Sequence, residues 1–174
     1  MASEISALKM AEKIRSEFSF EENVNIDEIL KSKKFMTQKR NLPEDIAIVF
    51  SATNRNAPVL LIDSDIDEGK ARFAKAHALG HFLLSKNSAI FVDKKSSISS
   101  SIAPFSDDDT EKVANSFAAA LLAPPNLLRK KIAEEERNGK TGDEAFKAVA
   151  ATFAVGIGVV ALALLLGGKK GKNQ

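Results

Sequence analysis

The chain is organised around Gly69-KARFAKAHALGHFLLSK-Asn87, a stretch that contains both of its histidines, His77 and His81. A helix predicted over residues 70–84 places positions i and i+4 on one face, so both imidazoles can reach the same metal ion. The alternative is a pair of buried histidines, which is unfavourable unless the ring nitrogens find partners. Gly80 is unfavourable within a helix by about 1 kcal/mol relative to alanine. It therefore indicates that another backbone or a substrate approaches the helix closely.

The four-residue spacing of the histidines is that of the H-E-x-x-H signature of zinc peptidases, except that Ala78 replaces the glutamate. Zinc in such a site needs three protein ligands and one open position. Because the chain has no cysteine and no third histidine, the third ligand must be a carboxylate. Glu111, predicted in the first turn of the next helix, is the best candidate. The alternative is a role at the helix end only, since Asp108-x-x-Glu111 has the spacing of a capping box.

The bulk composition is that of a globular protein. With 174 residues the chain fits one domain, or one domain with a small appendage. Its formal net charge of +2 is too small to indicate direct binding of nucleic acid. The first helix carries several glutamates and lacks the apolar core of a signal peptide, so we expect a cytoplasmic location.

Hydrophobic periodicity predicts two N-terminal helices, three short strands and several later helices. Because the strands have short connections, we expect a small antiparallel sheet. Residues 87–106 are predicted to form a polar loop with one apolar patch at residues 89–92. The predicted helices cover residues 3–18, 26–31 after an Asn25 cap, 70–84, 107–122, 126–138 and 143–153, with a last apolar run to Leu166; the predicted strands cover residues 35–39, 46–52 and 59–63.

The stretch from Ala148 to Leu166 has 19 residues and no charge. That length is just sufficient to cross a bilayer, and the lysines after it would suit a cytoplasmic flank. Its alanines and two glycines fit equally well with two buried helices around a turn at residues 155–158. Solubility of the chain without detergent would distinguish these alternatives.

Two central segments resemble sequence blocks of the ImmA/IrrE family of metallopeptidases. Arg72-FAKAHALGHFL-Leu84 is similar to the family's R-F-T-x-A-H-E-L-G-H-x-L-L block. Glu111-KVANSFAAALLA-Pro124 is similar to its E-x-x-A-N-x-F-A-A-E-L-L-x-P block, at the separation that the family shows. Val149-AATFAVGIGVVALALLLG-Gly168 resembles the closing segment less closely, and together these matches span nearly the whole chain.

This resemblance implies that His77, His81 and Glu111 bind zinc (Zn2+). It implies endoproteolysis, commonly of a helix-turn-helix repressor in phage, mobile-element or stress circuits. The family's general base follows the first histidine, so Ala78 marks a vacant general-base position. A positioned general base contributes about 10²–10⁴-fold to the rate, and we expect activity to fall by that order.

The expected fold is α+β, with a small antiparallel sheet and a zincin-like helical core. Residues 1–139 are expected to form the metallopeptidase-like domain, and residues 140–174 a C-terminal helical appendage with a basic tail. The first functional hypothesis is a zinc-dependent metallo-endopeptidase scaffold crippled at Ala78. The alternative is a non-catalytic pseudoprotease or toxin–antitoxin binding module. In both cases the partner is a protein, expected to be a helix-turn-helix repressor, and neither nucleic acid nor a membrane.

Overall fold

A computed structural model describes residues 3–85, 90–95 and 109–170, apart from the side chains of residues 157, 169 and 170. Within these ranges the chain forms seven helices and a four-stranded sheet, which confirms the α+β class. The elements in chain order are α1 (Glu4–Glu17), α2 (Ile26–Ser32), β1 (Met36–Arg40), β2 (Ile46–Ser51), β3 (Val59–Asp63), α3 (Glu68–Leu84), β4 (Ile90–Lys94), α4 (Asp109–Leu122), α5 (Pro125–Arg137), α6 (Gly142–Thr152) and α7 (Ile157–Lys170).

Side-chain caps set where the first three helices begin. Ser3 and Ser6 form a reciprocal capping box at the start of α1. Asn25 accepts a hydrogen bond from the backbone of Glu28, as the sequence predicted. Asp67 caps α3 by accepting from the backbone of Lys70, so this helix begins two residues before its predicted start at residue 70.

The prediction of a purely antiparallel sheet is wrong. The strand order is β1-β3-β2-β4, and β1 pairs parallel to β3, whereas β2 pairs antiparallel to both β3 and β4. Short connections do exclude a helical crossover, but here the chain returns through β2, which runs in the opposite direction and lies on the far side of β3 from β1. The length of the connections therefore did not determine which strands are neighbours.

The loop predicted over residues 87–106 is also wrong in part, because Ile90–Lys94 forms the edge strand β4. The remainder of that loop, residues 87–89 and 96–106, lies outside the described residues, and so does Asp108 of the predicted capping box. Along β4, Ile90 and Val92 are exposed, whereas Asp93 is buried. This alternation directs Phe91 and Asp93 towards the same face of the sheet.

The core lies between one face of the sheet and the helices. Ile48 pairs with Ile62 and Phe50 with Leu60, and all four side chains are fully buried. Helix α3 packs on strands β2 and β3 and also on α4. These contacts place α3 at the centre of the molecule.

Gly80 lies at a close approach between α3 and α4. A Cβ atom at this position would lie 3.1 Å from the Cα and from the carbonyl oxygen of Ala114, and 3.1 Å from Phe117 Cδ1. The prediction that a backbone approaches Gly80 closely is confirmed. A larger residue would move α4 away from the histidine helix.

The C-terminal helices α6 and α7 pack against α5, and α7 also packs against α4. Helix α7 continues through Gly167 and Gly168, which the sequence placed after its end; a Cβ at Gly167 would lie 2.6 Å from Pro125 Cβ. Among the described residues no helix has the length and apolar character needed to span a membrane. The division between residues 139 and 140 stays a prediction.

Candidate metal centre

Three side chains from two helices converge between α3 and α4. The Nε2 atoms of His77 and His81 are 2.9 Å apart. Glu111 Oε2 lies 3.3 Å from Nε2 of His77, and its Oε1 lies 3.1 Å from Nε2 of His81. The structure therefore brings together the three residues that the sequence had selected as candidate metal ligands, with both histidines buried and Glu111 partly exposed.

The antiparallel arrangement of α3 and α4 produces this convergence. His77 lies beside Asn115, Gly80 beside Ala114, and His81 beside Glu111, so the numbering of the two helices runs in opposite directions. This antiparallel packing is what allows Glu111, in the first turn of α4, to face both histidines. Glu111 lies in the first turn of α4, as predicted.

Asn115 fixes the orientation of His77. The Nδ1–H group of His77 donates to Asn115 Oδ1 at 2.8 Å, and both side chains are buried. With Nδ1 engaged, Nε2 is the nitrogen that faces Glu111 and His81, as in metal sites where an outer hydrogen bond sets the tautomer. Sequence reasoning did not assign this role to Asn115, although the one-turn spacing from Glu111 was a signal that both face the same helix.

Strand β4 supplies two further residues that the sequence reasoning missed. Phe91 stacks on the ring of His81 with 4.0 Å between centroids. Asp93 Oδ2 lies 3.3 Å from Nε2 of His77, which is an ion-pair distance. The available signal was the pattern Ile-Phe-Val-Asp within the predicted loop, which alternates as a strand does.

The electrostatics of the cluster favour positive charge at its centre. Burial alone lowers the pKa of His77, yet the nearby carboxylates of Asp93 and Glu111 raise it to about 9. Burial also lowers the pKa of His81, and the positive charge on His77 adds to this effect. Although burial raises the pKa of Glu111, hydrogen bonds from His77 and His81 hold it well below its usual range.

Ala78 is completely buried on α3, next to the first histidine. Its methyl group can neither accept nor donate a proton. The position at which the H-E-x-x-H signature has a carboxylate is thus filled by an apolar contact of the core.

A family model described as the IrrE N-terminal-like domain, of the M78 peptidases, matches residues 31–165. The chain belongs to this family. A search of curated proteins found no match. The IrrE-like match covers both central sequence blocks and gives the chain a metallopeptidase-type scaffold.

Membership of the M78 peptidases implies a metal ion, and the donor set fits one. Tetrahedral zinc binds imidazole nitrogen and carboxylate oxygen at about 2.0–2.2 Å, which separates neighbouring ligand atoms by about 3.3 Å. The separations among His77, His81 and Glu111 are 2.9, 3.1 and 3.3 Å. Two imidazole nitrogens and one carboxylate oxygen also form a ligand set typical of zinc peptidases.

Proposed function

We propose that the chain is a zinc-binding metallopeptidase scaffold whose hydrolytic activity is strongly reduced because Ala78 stands in place of the general base. The observation that carries this proposal is the convergence of His77, His81 and Glu111 beside a buried alanine. We further propose that its partner is a helix-turn-helix repressor in a cytoplasmic regulatory circuit of a phage or another mobile element. That part rests on the family and on no contact in the structure.

The residues have separate roles in this proposal. His77, His81 and Glu111 hold the metal, and Asn115 keeps the imidazole of His77 in the binding orientation. When bound, zinc would polarise a peptide carbonyl and acidify water. Ala78 has no group that could take up or pass on a proton, so peptide hydrolysis lacks its general base.

The second candidate function is a non-catalytic binding module, a pseudoprotease or toxin–antitoxin partner that grips a repressor without cutting it. The complete burial of Ala78 favours it, because the core has closed around a small apolar side chain. Retention of both histidines and Glu111 favours the metallopeptidase scaffold instead. The two proposals differ in whether a restored carboxylate restores cleavage.

The first experiment measures zinc per chain by elemental analysis of the purified protein, with His81→Ala as the control. We expect one zinc per chain and loss of that zinc in the variant. No zinc in the unaltered chain would contradict the metal site and leave a scaffold of this family used for binding.

The second experiment compares Ala78→Glu with Ala78→Gln against a panel of purified helix-turn-helix repressors. Both variants add similar volume at a buried position, but only glutamate supplies a proton acceptor. If the scaffold is a disabled peptidase, Ala78→Glu should cleave a repressor about 10²–10⁴-fold faster than Ala78→Gln. Equal rates with retained zinc and retained repressor binding would support the binding module.

A further inference from the structure

The two histidines of the cluster differ in what holds their rings. His77 donates from Nδ1 to Asn115, whereas Nδ1 of His81 is buried and has no hydrogen-bond partner in the described part of the chain. Rotation of an imidazole about its last side-chain bond has broad minima, so the surroundings select the orientation. For His81 the described residues offer a ring contact in place of the hydrogen bond.

Phe91 lies against the face of the His81 ring. The two centroids are 4.0 Å apart and the planes differ by 20°. The stacked pairs Phe35–Phe50 and Phe50–Phe91 are wider, with centroids 5.7 and 5.8 Å apart. Because turning the imidazole about its Cβ–Cγ bond would drive its edge into Phe91, close packing excludes the intermediate orientations. The half-turn that remains is decided by Glu111, whose Oε1 lies 3.1 Å from Nε2 of His81.

The sheet fixes Phe91 in its turn. Phe91 lies opposite Phe50 in the pairing of β4 with β2, and the planes of the two rings differ by 15°. Phe50 is fully buried and also stacks on Phe35. Aromatic pairs across neighbouring strands stabilise a sheet. The orientation of His81 is therefore set from the sheet, whereas that of His77 is set from α4.

We propose that Phe91 is the positioning residue of His81 and holds its imidazole by stacking, so that Nε2 faces the metal position. This inference rests on the metal site proposed above. The two histidines then have different supports, a hydrogen bond to α4 for His77 and an aromatic ring from β4 for His81. Metal affinity should consequently depend on the planar ring at residue 91 and not only on its apolar volume.

The test measures the affinity of the full chain for Co2+, whose visible absorption also reports the geometry of its ligands. Phe91→Leu keeps an apolar side chain but removes the ring. Loss of a group that orients a metal-binding histidine typically reduces affinity about 10–100-fold, and we expect a loss in this range with an altered spectrum. Phe91→Tyr restores a ring and should restore both the affinity and the spectrum.

Phe35→Leu is the matched control. Phe35 is partly buried like Phe91 and stacks on the same ring of Phe50, but within the described residues it has no ring contact with His81. It should lower stability in urea about as much as Phe91→Leu and leave the affinity for Co2+ unchanged. Equal losses of affinity in the two leucine variants would show a general loosening of the sheet and would overturn the proposal.

Proton NMR of the unaltered chain gives a second measurement, which does not depend on the folding of a Phe91 variant. The chain has two histidines, so its spectrum holds two sets of imidazole signals, and His81→Ala identifies those of His81. The stacked ring of Phe91 should shift the ring protons of His81 upfield both with chelator and with Zn2+. Absence of this shift in the chelated protein would refute the proposal, because the imidazole would not be held before the metal binds.

Failure of the metal site and failure of this inference give different results. If the unaltered chain binds neither Zn2+ nor Co2+, the metal site is refuted and the positioning role with it. If the unaltered chain binds one metal ion and Phe91→Leu binds it equally tightly, the metal site stands and the role of Phe91 is refuted.

Discussion

Replacing Asn115 by alanine removes the Oδ1 atom that accepts the hydrogen bond from Nδ1–H of His77, at 2.8 Å. Both side chains are buried, at 4% and 3% exposure, so water cannot readily replace the lost bond. A buried donor left without a partner lowers the free energy of unfolding by about 1–3 kcal/mol. We therefore expect Asn115→Ala to destabilise the metal-free protein by this amount.

The same substitution should also weaken metal binding, because the ring of His77 is no longer held. Loss of a hydrogen bond behind a metal-binding histidine typically reduces affinity about 10–100-fold. This corresponds to about 1.4–2.7 kcal/mol of stability that added zinc can no longer supply. The difference between Asn115→Ala and the unaltered chain should therefore be larger with zinc than with a chelator.

Urea unfolding, measured once with chelator and once with zinc, tests both expectations. Ser116→Ala is a matched control, since Ser116 is also buried on α4 and has no hydrogen bond to the histidines among the described residues. Asn115→Asp keeps an oxygen acceptor and should retain most of the affinity. If Asn115→Ala binds zinc as tightly as the unaltered chain, Asn115 does not orient His77 and the reasoning fails.

Three further substitutions test the scaffold around the site. Gly80→Ala should destabilise the protein in urea by up to about 2 kcal/mol, because overpacking against α4 costs about 1–3 kcal/mol and the gain in helix propensity offsets only about 1 kcal/mol of it. Arg15→Met should lower the free energy of unfolding by about 1–3 kcal/mol, since Arg15 donates at 2.8 Å to the buried carbonyl of Leu121. Hydrogen bonding to Lys95 lowers the pKa of Asp63 below 3.8, so its contribution to stability is present above that pH and is lost as the pH falls below it. The stability difference between Asp63→Asn and the unaltered chain should therefore shrink between pH 6 and about pH 3.

The predictions for Gly80 and Arg15 each have a control within the chain. Gly168→Ala also places alanine in a helix, but with nothing within 4 Å of the new Cβ, so it should not destabilise. Arg15→Lys keeps the charge with fewer donors and should fall between the unaltered chain and Arg15→Met. An unchanged unfolding curve for Gly80→Ala would show that α4 can move away freely.

Local features of the sequence were sufficient for most of the helices and for three of the site residues. The cap at Asn25 and the spacing of His77 and His81 are each local to a single helix, so the sequence of that helix alone predicts them. Gly80 was informative because glycine is unfavourable in a helix unless close packing requires it. Glu111 could be selected because the third ligand had to be a carboxylate and Glu111 was predicted in the first turn of the next helix.

The features that could not be predicted from the sequence are the order of the strands, strand β4 and the position of Asp93, and all of them depend on pairing between distant strands. The parallel pairing of β1 with β3 joins two strands that are not consecutive in the chain, and no turn or connection encodes it. Strand β4 was predicted as loop because it lies in a polar stretch with a single apolar patch, and in the structure the apolar residues Ile90 and Val92 of that patch face outward. Asp93 was missed for the same reason, since a carboxylate in a supposed loop is expected to be solvated.

Arg15 of α1 shows that the part of the chain with recognisable family sequence is smaller than the part that the fold of the metal site depends on. The recognisable family pattern covers residues 31–165, yet Arg15, sixteen positions before its start, holds the last turn of the helix that carries Glu111. Variation before residue 31 can therefore disable the metal site while every motif residue stays intact. A survey that judges relatives by their motifs alone would count such damaged chains as functional.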